Sequence, residues 1–241
     1  MDDLSFVLLD LSPMLIDAWQ CTFTQHVPEA IRGKFTIVQS MLENLVTPHD
    51  HFDCIVLPAN SYGKLDGGFD YFLLEALALP DDKDAPTRIA QSTLYTQWKG
   101  YMPPGTCTLV LLANTPCADN LHACTFIVLC PTMHVPMIVT WNREVVYNCM
   151  WTLLNALDRH NTSTASEGGG EGRRIRMVLM TGLAMGSGCM LEEHCMQQMA
   201  LVVHDFAEAA ADPEKWSSLS WADMKRYAAN GRRTYGNKIL V

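Results

Sequence analysis

The sequence predicts an α/β fold, a three-layer α/β/α sandwich around a mixed, largely parallel central sheet. Two observations predict it. Short apolar runs alternate along the chain with longer amphipathic segments, the order that places helices on a parallel sheet. Several of these runs are nearly continuous in apolar residues, as strands covered on both faces are. In such sheets ligands bind beyond the carboxyl ends of the strands.

The elements follow from these runs in chain order. The predicted strands are Phe6 to Leu9, Phe35 to Val38, Cys54 to Leu57, Thr108 to Leu112, Thr125 to Leu129 and Ile175 to Met180. Ser12 is placed to cap a first helix that starts at Pro13. The other predicted helices are Asp70 to about Leu79, Pro86 to Trp98, Arg143 to Leu157 and Glu192 to Ala211, from helical spacing of apolar residues.

The chain is predicted to consist of a main domain and a C-terminal extension. Residues 1–211 form the predicted domain, with the polar, glycine-rich stretch 161–174 as a mobile loop inside it. Residues 212–241 form a C-terminal extension that contains Trp216 and Trp221. Two hypotheses for this extension stay open: it packs on the domain, or it holds a partner.

Composition excludes several functional classes. The net charge of −9 disfavours general nucleic-acid binding, which needs a basic surface. No apolar run reaches the roughly 18 residues of a membrane span, and the acidic start Met1-Asp2-Asp3 is unlike a signal peptide. The nine cysteines form no CxxC pair, which favours reduced thiols and a cytoplasmic or nuclear location.

Two glycine-rich turns follow predicted strands and precede predicted helices. They are VLPANSYGKLDGGFD, from Val56 to Asp70, and TGLAMGSGCM, from Thr181 to Met190. Exposed backbone N–H groups at such turns bind phosphate oxygens. The second turn matches neither G-x-G-x-x-G nor the lysine-containing Walker loop. The alternative for each turn is a glycine bend that only starts a helix.

The first turn resembles the signature of macro domains, a family that binds ADP-ribose. A strand ending in N-A-A-N-S and a loop closing on G-G-V-D are matched here by Ala59, Asn60, Ser61, Gly67, Gly68 and Asp70. The second turn is similar to the family's second loop, G-[IL]-G-[TS]-G-x-G, at Gly182, Leu183, Gly186 and Gly188. CPTMHVP, from Cys130 to Pro136, resembles a macro-domain-like subgroup seen in phage-tail-associated and fungal proteins. That subgroup often has an Asp after its first strand, here Asp10. The likeness covers roughly Phe6 to Ala209.

The resemblance implies a ligand site and a reaction. It implies that Asn60 holds the distal ribose and that Asp70 takes a proton from a water that attacks C1″. The implied ligand-binding residues are Ala59, Asn60, Ser61, Gly67, Gly68, Phe69, Gly182, Leu183, Met185, Gly186, Ser187, Gly188, Asp10 and Ser40. From the residues alone, Asn60 is equally read as a turn-forming side chain, and Asp70 as an ordinary carboxylate at a helix N-terminus.

The sequence departs from the family pattern at three places. Leu57-Pro58 replace the first N-A of the signature. Ser40 stands where the family's adenine-binding Asp follows the second strand, so adenine recognition falls to another group. Ala184-Met185 replace Gly-Thr in the second loop and narrow it.

Several functions remain in competition. The leading hypothesis is binding of ADP-ribose or an ADP-ribosylated substrate, with hydrolysis of a C1″ bond by an ADP-ribosyl hydrolase or ADP-ribose 1″-phosphate phosphatase as a further step. The alternatives are a non-catalytic reader and a degenerate macro fold with a structural role; a Rossmann oxidoreductase ranks last. No cofactor and no metal site is predicted, because His49 and His51 lack further ligands at suitable spacing. His134 is read as structural.

Overall fold

The computed structural model of the protein describes residues 3–67, 76–78, 81–166 and 174–235. The six strands of this part are β1 Ser5–Asp10, β2 Phe35–Gln39, β3 Cys54–Leu57, β4 Thr108–Leu111, β5 Phe126–Leu129 and β6 Met177–Met180. Each lies within two residues of its predicted bounds. The predicted helix from Asp70 to Leu79 lies mostly outside the described residues.

The strands form one mixed sheet in the order β2-β1-β6-β3-β5-β4. β1 pairs in parallel with β2 and β6, and β3 pairs in parallel with β5 and β6. Only the edge strand β4 runs antiparallel to its neighbour, β5. The predicted fold class is therefore confirmed. The carboxyl ends of β1, β3, β5 and β6 consequently lie at the same edge of the sheet.

Helices cover both faces of the sheet. The helices of the described residues are α1 Pro13–His26, α2 Glu29–Arg32, α3 Ala85–Trp98, α4 Val145–Ser166, α5 Glu192–Ala211, α6 Pro213–Trp216 and α7 Trp221–Arg233. One apolar core joins α1, α4 and α5 to the sheet, with Trp19 and Phe6 fully buried. The other joins α3 to the opposite face through Leu94 and Ile55. Alternate residues of each strand therefore enter different cores.

Helix α1 begins where the sequence predicts. Pro13 is its first residue and Ser12 its N-cap, but the Ser12 side chain makes no capping hydrogen bond. The Ser12 backbone N–H instead donates to Oδ1 of Asp10, at 2.9 Å. The carboxylate at the end of β1 therefore orders the turn into α1.

Helix α4 is longer than predicted, and this corrects one boundary of the predicted loop at 161–174. Residues 161–166 are helical, while residues 167–173 lie outside the described part. Asn161 is buried and bonds both backbone polar groups of Ile175: Nδ2 donates to the carbonyl at 2.7 Å, and Oδ1 accepts from the N–H at 2.9 Å. This pair of bonds holds the helix end against the chain entering β6.

The C-terminal extension contacts the main domain. The Trp216 ring stacks on Trp151 of α4, with centroids 5.5 Å apart, and packs on Tyr227 at 4.6 Å. The Tyr235 hydroxyl donates to a carboxylate oxygen of Glu144. None of the described helices has the length and apolar character needed to span a membrane.

Candidate functional site

A cleft of about 610 Å³ lies at the carboxyl edge of the sheet. It is bounded by the turn after β1, the loop after β3 (the first loop), the segment after β5 and the loop after β6 (the second loop). Its lining residues are Asp10, Ser12, Leu15, Pro58, Asn60, Lys64, Asp66, Gly67, Thr132, Met133, Pro136, Thr181, Gly182, Ala184, Met185, Gly186, Ser187 and Glu192. The two predicted glycine-rich turns therefore face one another across a single cavity.

Asn60 lines the cleft, but its side chain is largely used inside its own loop. Oδ1 accepts from the backbone N–H groups of Tyr62 and Lys64, at 3.0 and 3.3 Å, and Nδ2 donates to the Lys64 carbonyl. This is the turn-forming role that the sequence left open as the alternative. One N–H of the amide remains for a ligand.

The neighbours of Asn60 support the loop from below. Ala59 is 1% exposed and Ser61 is fully buried, and neither lines the cleft. The Ser61 N–H and hydroxyl both donate to the carbonyl of Met133, at 2.9 and 3.1 Å. These bonds join the first loop to the segment after β5, so the predicted contacts of Ala59 and Ser61 with ligand are replaced by a structural role.

The rest of the first loop is described as far as Gly67. Gly67, predicted to contact ligand, lines the cleft. Gly68, Phe69 and Asp70, the last of them the general base implied by the resemblance, lie outside the described residues.

The glycines of the second loop are needed for two different reasons. A Cβ on Gly182 would lie 2.3 Å from Sδ of Met185, and a Cβ on Gly188 would lie 2.3 Å from the Ala184 carbonyl oxygen. A Cβ on Gly186, in contrast, would meet nothing within 4 Å. Close packing against the backbone therefore explains Gly188, whereas a side chain at Gly182 would have to displace the flexible Met185 side chain. Gly186 lines the open cleft, where a side chain would project into ligand space.

The second loop presents a row of backbone donors. Among the hydrogen bonds between described residues, none uses the N–H groups from Gly182 to Gly188 as donors. Met185, Gly186 and Ser187 of this row line the cleft. Leu183, predicted as a ligand contact, is fully buried in the core instead. Unpaired N–H groups along a turn form an anion-binding concavity.

Carboxylates outnumber cations in the described lining of the cleft. Asp10, Asp66 and Glu192 line it, against Lys64. Lys64 Nζ lies 3.4 Å from Asp66, so part of its charge is already compensated. Any anionic ligand must therefore be held mainly by backbone N–H groups.

Asp10 joins two strand ends at the cleft. Its Oδ2 accepts from the Thr181 hydroxyl at 3.0 Å, while Oδ1 accepts from the Ser12 N–H. Ser40, which was predicted to contact the ligand, does not line the cleft. Its N–H donates to the Asp10 carbonyl at 3.1 Å and its hydroxyl donates to the Met41 carbonyl. The polar groups of Ser40 are thus used in the turn after β2, and its contact with a ligand stays a prediction.

Sequence reasoning missed several lining residues. Thr132 and Thr181 are both buried and line the cleft. Each stands within three residues of the carboxyl end of a parallel strand, which is the signal that could have identified them. The Thr132 hydroxyl is buried without a hydrogen-bond partner among the described residues.

Two polar clusters lie outside the cleft lining. His134 is exposed, and its Nε2 lies 3.0 Å from the Tyr101 hydroxyl. On α5, ligand atoms of His204, Asp205 and Glu208 lie within 4.8 Å of one another. Asp205 accepts a hydrogen bond from the Tyr147 hydroxyl, and Glu208 bonds Lys215. These partners account for both carboxylates without a metal.

Comparisons with known proteins give a likeness to solved structures only. No family model matches the sequence, and no curated protein matches it. Among solved structures, the chain is similar to a macrodomain of Oceanobacillus iheyensis with MES bound. Identity is 14% and the TM-score is 0.43, over 76% of this chain and 84% of that one. A likeness at this level assigns no ligand, so the ligand is inferred from the cleft itself.

Proposed function

We propose that the protein is a macro-domain-like protein whose cleft binds ADP-ribose or a derivative of it. The observation that carries the proposal is the stretch from Met185 to Ser187, which lines the cleft opposite the first loop and whose backbone N–H groups donate to no other described residue. The ANSYGKLDGGFD signature of the first loop supports it. The free thiols of all nine cysteines support a cytoplasmic or nuclear location.

The diphosphate would lie against the N–H groups of the second loop. These groups place positive partial charge at the cleft without a lysine or arginine. The carboxylates of Asp10, Asp66 and Glu192 oppose an anion, so this contact has to be short-range and directional. The terminal sugar would then lie near Asn60, and the remaining amide N–H of Asn60 would donate to a sugar hydroxyl. The nucleoside would lie near Asp10 and Leu15.

Binding of ADP-ribose is tested by calorimetry on the whole chain. Gly186→Val should lower the affinity at least about tenfold, because the new side chain occupies open cleft space without striking the protein. Gly33→Val is the matched control: a Cβ at Gly33 also meets nothing within 4 Å, and its φ of −63° suits valine. It should bind as the wild type does. Absence of binding by the wild type at about 1 mM ligand would overturn the proposal in favour of a structural role.

Hydrolysis at C1″ is a second proposal that rests on the family resemblance of Asp70. Asp70→Ala separates an enzyme from a reader. In a hydrolase the variant loses turnover of ADP-ribose 1″-phosphate or of an ADP-ribosylated peptide and still binds ADP-ribose. In a reader, the wild type shows no turnover of either substrate and the variant keeps its affinity.

A further inference from the structure

The segment after β5 carries a buried hydroxyl that the protein itself does not use. Thr132 is 1% exposed and lines the cleft. Its Oγ1 has no hydrogen-bond partner among the described residues. A hydroxyl withdrawn from water without a partner destabilises the protein, so its retention at the floor of a cleft needs a reason.

A loosely held backbone around Thr132 does not explain the unpaired hydroxyl. The Thr132 N–H donates to the Ala59 carbonyl at 3.1 Å, and the carbonyl of the preceding Pro131 accepts from the Gly105 N–H at 2.9 Å. The following carbonyl, of Met133, accepts from Ser61. The backbone around Thr132 is thus held on both sides, while the hydroxyl has no partner among the described residues.

The same bonds locate the hydroxyl within the cleft. Thr132 pairs with Ala59, and Met133 forms a parallel bridge with Asn60. Thr132 therefore lies at the Asn60 end of the cleft, beside the first loop, whereas Asp10 and Thr181 mark the end at β1 and β6. A ligand reaches this buried hydroxyl only if neighbouring side chains of the cleft lining move, and Met133, which also lines the cleft, is an unbranched side chain that changes rotamer easily.

We infer that the Thr132 hydroxyl forms a hydrogen bond with the terminal sugar of the bound ligand and so distinguishes ADP-ribose from ADP. This inference rests on the proposed function and adds a specificity-determining residue to it. A hydroxyl both donates and accepts, which suits a sugar hydroxyl. The partner missing from the free protein is then supplied by the ligand.

The test combines calorimetry with thermal unfolding of the free protein. Thr132→Val keeps the shape and removes the hydroxyl. It should weaken ADP-ribose binding about three- to tenfold, leave ADP binding unchanged, and leave the melting temperature of the free protein unchanged or raised. Thr132→Ser keeps the hydroxyl and should bind ADP-ribose as the wild type does.

Thr108→Val is the matched control. Thr108 is also buried, but its hydroxyl accepts a hydrogen bond from Nε1 of Trp98 at 2.7 Å. Removing it should lower the melting temperature by about 2–4 °C without changing either affinity. Thr132→Val is therefore expected to lower the affinity for ADP-ribose but not the melting temperature, and Thr108→Val is expected to lower the melting temperature but not the affinity.

The outcomes separate this inference from the proposed function. If the wild type binds ADP-ribose and Thr132→Val binds it equally well, the inference is wrong and the function stands. Equal losses for ADP and ADP-ribose, or a lower melting temperature of free Thr132→Val, also refute it. A wild type that binds no ADP-ribose refutes both.

Discussion

The buried amide of Asn161 provides a sharp stability test, because one side chain satisfies both backbone polar groups of another residue. Ile175 is fully buried, and its N–H and carbonyl bond only to Asn161 among the described residues. Replacing Asn161 with alanine leaves two buried backbone groups without partners. The residue lies in the last turns of α4, and Ile175 stands just before β6.

The expected magnitude follows from these two bonds. A buried polar group left without its partner costs about 1–3 kcal/mol, so Asn161→Ala should lower the free energy of unfolding by about 2–5 kcal/mol. For a chain of this size each kcal/mol corresponds to about 2–4 °C in the melting temperature. Most surface substitutions stay within about 0.5 kcal/mol, so the predicted effect is well separated from background.

Equilibrium unfolding in urea measures this loss, with Asn155→Ala as the control. Asn155 lies on the same helix, but its Nδ2 donates to the carbonyl of Trp151. That carbonyl is also the acceptor of an ordinary helical hydrogen bond, so it does not depend on the Asn155 side chain. The control should lose less than about 1 kcal/mol. If Asn161→Ala unfolds at the same urea concentration as Asn155→Ala, the clamp on Ile175 does not stabilise the fold as argued.

Three further predictions follow from the site and the core. Asp10→Ala should lower ADP-ribose affinity about tenfold, because it removes the bonds to Ser12 and Thr181. Asp10→Asn should retain the affinity, because its amide can replace both bonds. Equal affinities of the two variants in calorimetry would refute this. Burial raises the pKa of Asp205, so the native state binds its proton more tightly than the unfolded chain and stability falls as pH rises through the raised pKa. Asp205→Asn should therefore gain stability relative to the wild type as the pH is raised above the ordinary pKa of an aspartate, and a stability difference in urea unfolding that does not change with pH would contradict this. A thiol reagent should rapidly modify Cys21 and Cys189 in the native protein, because these two are exposed, whereas rapid modification of most of the nine thiols would show that the core opens.

The sequence determined the elements of the fold because their signals are local. Apolar runs placed all six strands to within two residues, and Pro13 marked the start of α1. The two glycine-rich turns could also be placed at strand ends, since the strands before them were evident. In the structure, residues of both turns line one cavity at the carboxyl edge of the sheet.

Only the tertiary structure decided which side chains serve the cleft and which serve the protein. Asn60 bonds within its own loop, Ser40 is used in a turn, and Leu183 is in the core. Asp10 meets Thr181 across 171 residues, and Thr132 lies in the cleft beside the first loop, because β5, the strand before it, pairs with β3. Hydrophobic periodicity depends on near neighbours and can be read along the chain, whereas hydrogen-bond partners depend on which distant segments the sheet brings together.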